Sequence, residues 1–250
     1  MPEPEAHHHI LLHSVLIPMC RFIPVPFLDD AVQDILERRH VTGIARIHGR
    51  TITTKEADAL CGHEAGGGCS CIGCLVYMPL LPFKKLLRKI LYFLEWKATI
   101  DLASRTYIEG YALDYLLGEG LWPSEDPDPA ARVHAALDRV VEKAGISPIE
   151  AAFKQVWKNA RLAIIGTAQL LGQRLRKLVG LGKEEQRAAV TRVLDEIEHD
   201  QKLEATLMKL SQALSQVHGE YFDRLKELTR DEFRVSPEDG SESSPPDAPD

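Results

Sequence analysis

Apolar residues recur at intervals of three and four over most of this 250-residue chain, and no segment shows a strand-like alternation of comparable strength. From residue 83 to residue 117 this spacing predicts one long helix, in which Gly110 is the position that favours an interruption. Start signals for further helices stand at four places: Asp29 or Asp30, Thr53, Asp128 and Ser147. The sequence therefore predicts an all-α helical bundle.

The region from Lys183 to Arg230 has the most regular pattern of the chain. Its apolar residues alternate at spacings of three and four, and we call them the C-terminal seam: Leu203, Leu207, Leu210, Leu214, Val217, Tyr221 and Leu228. The C-terminal seam predicts one long final helix that packs lengthwise on another helix, which we expect to be the one beginning near Pro148. It also offers a coiled-coil surface for a homo-oligomer.

Prolines and acids concentrate in residues 122–129, which mark the best internal boundary. We expect a flexible N-terminal segment (1–20), a helical region (21–121), a linker (122–129) and a second helical region (130–234). The histidine run His7–His9 is interpreted as part of the flexible surface, although it could scavenge a metal ion. Residues 235–250 carry five acidic side chains and no basic one, which predicts a disordered acidic tail.

Composition and charge narrow the class of protein. The net charge is -7, and no nucleic-acid recognition motif is present, so nucleic acid is not an expected partner. An odd number of cysteines, five, favours a reducing compartment. Glu3 and Glu5 stand where a signal peptide carries positive charge, and no apolar run reaches the roughly 20 residues of a membrane helix. We therefore expect a cytoplasmic protein that associates peripherally with the inner face of the membrane.

Four of the five cysteines lie within residues 61–74, which form a cysteine- and glycine-rich loop. The candidate metal ligands are Cys61, His63, Cys69, Cys71 and Cys74. Thiolates and an imidazole at this density suit a soft ion, and the glycines allow the loop to wrap around it, so zinc is the predicted cofactor and no other is expected. An iron-sulfur cluster, a Cys71–Cys74 redox pair, lipid attachment and a loop without a ligand remain open.

Two basic, amphipathic segments form the second candidate site. Residues 151–183 contain no acid, and a shorter basic stretch follows Phe83. Their positive side chains are predicted to bind an anionic membrane surface: Lys84, Lys85, Arg88, Lys89, Lys154, Lys158, Arg161, Arg174, Arg176 and Lys177. Membrane burial also requires Trp157, Ile164 and Leu171 to face lipid. The alternative is a solvated face that docks on the acidic last helix or on a protein partner.

The stretches Phe22–Asp30 and Ile44–Arg50 combine a proline pair, an acid, a helix and an Ile-Ala-Arg ending before glycine. In these features the chain resembles EcsC-like proteins and the helical domain of unknown function attached to bacterial Era-like GTPases, over roughly residues 20–120. The resemblance implies an all-helical, membrane-associated protein without established catalysis. The chain departs from it by carrying the cysteine loop and a basic helix where those families have a hydrophobic hairpin of small residues.

These observations predict a non-enzymatic, peripherally membrane-associated helical protein with a structural metal-binding loop. Two alternatives follow from the same residues. One is a metal-dependent or redox enzyme centred on residues 61–74, and the other is a helical module for protein–protein interaction.

Overall fold

The computed structural model describes residues 2–22, 28–63, 84–124, 126–176 and 183–233, and every regular element in these ranges is a helix. This confirms the predicted all-α fold. The elements are α1 (Pro4–Met19), a short 3-10 turn (Cys20–Phe22), α2 (Leu28–Ile47), α3 (Thr54–Leu60), α4 (Lys84–Gly118), α5 (Pro129–Ala144), α6 (Ser147–Arg176), α7 (Lys183–Glu198), α8 (Gln201–Leu214) and α9 (Gly219–Phe233). The predicted acidic tail lies outside the described residues.

Helix α1 lies in the interior of the bundle, where a flexible segment was expected. It packs against α2 and α4 and also contacts α8. Every residue from Ile10 to Met19 is buried, including His13. The expectation of a flexible segment was wrong because a helix that is apolar on all sides is stable when other helices cover it. The expectation of a disordered histidine run fails for the same reason.

Helix α4 is the second central element. It runs without interruption from Lys84 to Gly118, so Gly110 does not break it. Its middle buries Tyr107, Ile108 and Tyr111, and it packs against α1, α2, α5, α6 and α9. Helices α1 and α4 therefore form the axis around which the other helices are arranged.

Two of the predicted helix starts are confirmed in atomic detail. Thr53 Oγ1 accepts a hydrogen bond from the Glu56 backbone N–H, and the Glu56 carboxylate accepts one from the Thr53 backbone N–H, which is a complete capping box at α3. The Asp128 carboxylate accepts from the Ala131 N–H at the start of α5. Both caps depend on residues within one turn, which is why the sequence is sufficient to predict them.

The region after Lys183 forms three helices, so the prediction of one long C-terminal helix was wrong. The Asp200 carboxylate accepts hydrogen bonds from the N–H groups of Lys202 and Leu203 and starts α8 there. The α8 part of the C-terminal seam is buried, and α8 packs along α6, as expected for the helix beginning near Pro148. Helix α9 packs instead against α5 and α4. Apolar spacing alone misses such breaks because it contains no information on caps.

The helical regions on either side of residues 122–129 share one hydrophobic core. Trp96 of α4 contacts Trp157 of α6 with ring centroids 5.7 Å apart, and Tyr107 contacts Phe153 at 6.4 Å. Helix α3 packs against α5 across the same boundary. Residues 122–128 thus connect two parts of a single packed unit.

Candidate metal centre

Three histidine side chains converge where α1 meets α2. His9 and His13 lie one turn apart on α1 and therefore on the same face, and α2 brings His40 against them. The ring centroids are 4.2 Å apart for His9 and His13, 5.4 Å for His13 and His40, and 5.8 Å for His9 and His40. One ring nitrogen from each residue lies within 4.8 Å of the other two. We call these three residues the histidine cluster.

Backbone carbonyls orient two of these rings. His13 Nδ1–H donates to the His9 carbonyl at 3.0 Å, and His9 Nε2–H donates to the His40 carbonyl at 3.0 Å. Because a carbonyl can only accept, the other nitrogen of each neutral ring keeps its lone pair. Among the described residues, the buried His13 Nε2 and both ring nitrogens of His40 have no hydrogen-bond partner of normal geometry. The histidine cluster therefore holds free electron pairs in its interior.

Burial keeps the three imidazoles neutral. It lowers the pKa of His40 to about 3 and brings the pKa of His13 well below its ordinary value, with the neighbouring histidines adding to the shift. The pKa of His9 is also lowered, mainly by burial and further by the charge of Arg46, while the His40 carbonyl acts in the opposite direction. A neutral imidazole is the form that binds a metal ion. Protons therefore compete weakly for these ligands near neutral pH.

Two glycines provide the space that the rings occupy. A β-carbon on Gly43 of α2 would overlap the His9 ring. A β-carbon on Gly110 of α4 would lie 2.7 Å from Nε2 and 2.8 Å from Cε1 of His40. Glycine inside a helix costs about 0.5–1 kcal/mol relative to alanine. The two glycines therefore make room for the histidine cluster but lower the intrinsic stability of helices α2 and α4.

A pocket of about 500 Å³ adjoins the histidine cluster. His9 and His13 contribute to its lining, whereas His40 lies behind them. Its charged lining residues are Arg39, Arg46, Arg50, Asp195 and Glu198. Arg39 bridges α2 and α7, since its guanidinium lies 2.8 Å from an Asp195 oxygen and 3.0 Å from a Glu198 oxygen. The pocket is therefore bordered by the ion pairs that join α2 to α7 and by two members of the histidine cluster.

The structure describes two of the five ligands predicted in the cysteine loop. Cys69, Cys71 and Cys74 lie outside the described residues. His63 Nε2 lies 3.0 Å from a Glu37 oxygen and 3.6 Å from an Asp34 oxygen. The Cys61 thiol is near the same carboxylates, and burial together with the Glu37 charge raises its pKa. The beginning of the loop thus lies against two acids of α2, a placement that the sequence did not suggest.

Asp34, Glu37 and His63 form a second group whose ligand atoms all lie within 4.8 Å of one another. Here the acids already have a partner, because the His63 ring nitrogen lies within 3.6 Å of both carboxylates. Glu37 also accepts a hydrogen bond from Gln33 at 2.8 Å. His63 Nδ1 is buried without a hydrogen-bond partner among the described residues, and burial raises the pKa of Glu37. The group differs from the histidine cluster chiefly in that its carboxylates already contact an imidazole and an amide.

The structure agrees only in part with the expected exposure of the predicted membrane-binding segments. On α6, Lys154, Lys158 and Arg161 are exposed, but the apolar side chains expected to reach lipid are buried in the core: Trp157, Ile164 and Leu171. Lys154 pairs with Glu150, Arg161 lies over the Trp96 ring, and Arg174 pairs with Glu196 of α7. Arg176 is exposed, whereas Lys177 and the side chains of Lys84, Lys85, Arg88 and Lys89 lie outside the described residues. The buried side chains of Trp157, Ile164 and Leu171 therefore cannot form an apolar, lipid-facing side of α6.

Within the described ranges, no helix is both long enough and apolar enough to cross a membrane. No protein-family model, curated protein or solved structure matches this chain.

Sequence reasoning missed the histidine cluster because its members are far apart in sequence. His9 and His13 stand four residues apart on an apolar segment, which is the one local signal of a shared helical face. His40 joins them only through the packing of α2 on α1. Gly43, three residues after His40 on the same helix, was a second signal, because glycine inside a helix points to a close approach.

Proposed function

We propose that this protein binds a divalent transition-metal ion, with zinc as the first candidate, through His9, His13 and His40. The main support is the convergence of three neutral imidazoles, His13 and His40 buried and His9 half-buried, with ring nitrogens within 4.8 Å of one another beside a pocket. Three protein nitrogens with a fourth position left for water or substrate is the ligand set of many catalytic zinc sites. The proposed function is therefore metal-dependent binding or conversion of a small molecule in the pocket.

The free nitrogens support this proposal against simple packing of histidines. Zn–N bonds are about 2.0–2.1 Å long, so the rings must close in on an ion when it binds. His13 Nε2 has no hydrogen bond to lose in that movement, and His40 has only a contact with the Thr106 backbone that falls outside normal hydrogen-bond geometry. His13 also keeps its Nδ1 bond to the His9 carbonyl, which is the type of outer contact that orients metal-bound histidine.

A cobalt titration tests the proposal. The protein is prepared without an affinity tag, stripped with a chelator, and titrated with Co²⁺, whose visible absorption reports coordination by nitrogen. We expect about one equivalent to bind with a four-coordinate spectrum and to raise the melting temperature. In His13→Ala the affinity should fall at least about tenfold, since one of three protein ligands is lost.

The matched control is His8→Ala. His8 belongs to the same histidine run and the same helix but is exposed. It should bind Co²⁺ like the wild type, and the melting temperature of each metal-free variant shows whether the fold is retained. If folded His13→Ala and His40→Gln bind as tightly as the wild type, the histidine cluster is a packing feature and the proposal fails.

Zinc binding by Cys61, His63, Cys69, Cys71 and Cys74 stands as a separate proposal, and the same titration distinguishes it. Thiolate ligands give Co²⁺ an intense charge-transfer absorption in the near ultraviolet that imidazole does not give. One equivalent of bound Co²⁺ that shows this absorption in His13→Ala but not in Cys71→Ser would be bound by the cysteine loop. The raised pKa of Cys61 means that an ion must displace its proton, so binding there should weaken steeply as the pH falls.

We also propose peripheral association with an anionic membrane surface, favoured by the exposed side chains of Lys154 and Lys158 on α6. The burial of Trp157, Ile164 and Leu171 leaves electrostatic attraction as the force for this segment. The resemblance to membrane-associated helical families agrees with the membrane proposal.

A further inference from the structure

We infer that the pocket beside the histidine cluster takes a small anionic ligand, one with a carboxylate or phosphate group, whose oxygen completes the coordination shell of the metal ion. The inference rests on the proposed metal site and specifies the chemical class of its ligand. Charge balance, available donors and pocket size support it in turn.

Charge balance is the first argument. Three neutral imidazoles add no negative charge, so a bound divalent ion keeps both of its positive charges. The pocket lining contributes three guanidinium groups against two carboxylates. A metal-loaded pocket would then carry a surplus of about three positive charges, and such a surplus in a concave site attracts an anion.

The three arginines differ in whether they already form ion pairs with carboxylates. Arg39 is held by Asp195 and Glu198 and also donates to the Thr191 carbonyl. No ion pair joins Arg46 or Arg50 to a carboxylate within the described part of the chain. The Glu56 carboxylate feels the charge of Arg50 but is already bonded in the capping box of α3. Arg46 and Arg50 are therefore the donors available to a ligand.

Arg50 is held in place for such a role. Its guanidinium carbon lies 4.0 Å from the centroid of the Trp122 ring, a cation–π contact that holds the group against that ring. Its Nε is buried and has no hydrogen-bond partner among the described residues. A buried donor without an acceptor costs about 1–3 kcal/mol. An anionic oxygen would remove that cost.

The size of the pocket limits the ligand to a small molecule. Its volume of about 500 Å³ lies toward the lower end of the range of roughly 300–1,000 Å³ found for ligand sites. Arginine binds carboxylate and phosphate groups through two parallel N–H···O hydrogen bonds. Arg46 and Arg50 would thus orient one end of the ligand while the ion binds an oxygen.

The experiment uses the full chain loaded with Co²⁺ and titrates it with inorganic phosphate or with acetate at constant ionic strength. We expect one of the two to change the visible cobalt spectrum in a saturable way. By linkage, that anion should tighten Co²⁺ binding by the same factor by which Co²⁺ tightens anion binding. The phosphate and acetate titrations identify the class of ligand.

Arg46→Gln and Arg50→Gln should each weaken anion binding at least about tenfold while the cobalt stoichiometry stays the same. Lys158→Gln is the charge-matched control, since Lys158 lies exposed on α6, and should have no effect. If Co²⁺ itself does not bind, the proposed metal site fails. If Co²⁺ binds but neither anion alters it, or if the arginine variants respond like Lys158→Gln, the metal site stands and this inference is overturned.

Discussion

Gly43 of α2 faces His9 of α1 so closely that residue 43 has no space for a side chain. We therefore expect Gly43→Ala to displace the His9 ring, lower the free energy of unfolding and weaken Co²⁺ binding. Overpacking of this kind typically costs about 1–3 kcal/mol, more than the fraction of a kcal/mol that alanine adds to helix propensity. Chemical denaturation and the cobalt titration measure the two effects.

Gly166→Ala is the control for this substitution. Gly166 also lies inside a helix, α6, but it is exposed, and a β-carbon there would meet nothing within 4 Å. It should stabilise the protein by up to about 1 kcal/mol and leave Co²⁺ binding unchanged. Equal effects of the two substitutions would mean that His9 does not use the space at Gly43.

Acid should destabilise the metal-free protein from about pH 6.5 downwards. The ordinary histidine pKa is 6.5, and burial lowers that of His40 to about 3. Between these values the unfolded chain binds the proton and the folded chain does not, so the stabilising contribution is complete above 6.5 and is lost as the pH falls. Each buried histidine contributes up to about 1.4 kcal/mol per pH unit.

Urea unfolding at neutral and acidic pH measures this dependence. His40→Gln removes one titrating group and should flatten the pH dependence, whereas His8→Gln on the exposed part of α1 should not. An unchanged slope in folded His40→Gln would show that His40 is not the group responsible.

Glu109 of α4 predicts the opposite dependence on pH. Burial raises its pKa to about 7 from 4.5, Asp138 and Glu37 add to the shift, and Arg105 opposes it. The folded state therefore holds the proton more tightly, and the stability that this provides is lost as the pH rises through about 7. Glu109→Gln should be more stable than the wild type at about pH 8.5 and similar at about pH 5. Thermal melts at both pH values test this, with exposed Glu142→Gln as the control. A difference in melting temperature between Glu109→Gln and the wild type that is the same at both pH values would contradict the prediction.

The buried part of the C-terminal seam can be tested within one helix. Leu210 of α8 is 0 % exposed, whereas Met208, two residues earlier, is 68 % exposed. Leu210→Asp buries a charge and should cost at least about 3 kcal/mol or prevent folding, while Met208→Asp should change the free energy of unfolding by less than about 0.5 kcal/mol. The concentration dependence of the wild-type melting temperature checks the predicted homo-oligomer.

Membrane association by α6 should depend strongly on salt, because the buried apolar residues cannot add to it. Each lysine or arginine near an anionic leaflet contributes about 1 kcal/mol, and this attraction decays within a Debye length of about 8 Å at physiological salt. Flotation with anionic liposomes should occur at low salt and disappear at high salt. Reversal of Lys154 and Lys158 to glutamate should abolish it with unchanged circular dichroism. Failure of the wild type to float at low salt would remove the membrane proposal.

The parts of the fold that follow from the sequence are those encoded within one or two turns. Thr53 with Glu56 and Asp128 with Pro129 show where helices begin, because a cap needs only its immediate neighbours. The same local reasoning could have placed the start of α8 at Asp200 if caps had been weighed against the C-terminal seam.

The histidine cluster is not encoded within one or two helical turns. Whether His9 is a surface group or a buried one depends on α2 and α4 covering α1, and the separation between His9 and His40 is 31 residues. The thiols of residues 61–74 are close together in sequence, whereas the members of the histidine cluster are close together only in the folded structure.

The position of α1 has a consequence for the order in which the protein can form during synthesis. His7 Nε2 lies 3.2 Å from Ser211 Oγ, across 204 residues of chain. Because α1 is synthesised before α8, its apolar surface on that side stays exposed until α8 has been made. Contacts of such separation slow folding and prolong the exposure of aggregation-prone surface. Helix α1 is therefore a segment that chaperones for nascent apolar chains would hold until α8 is complete.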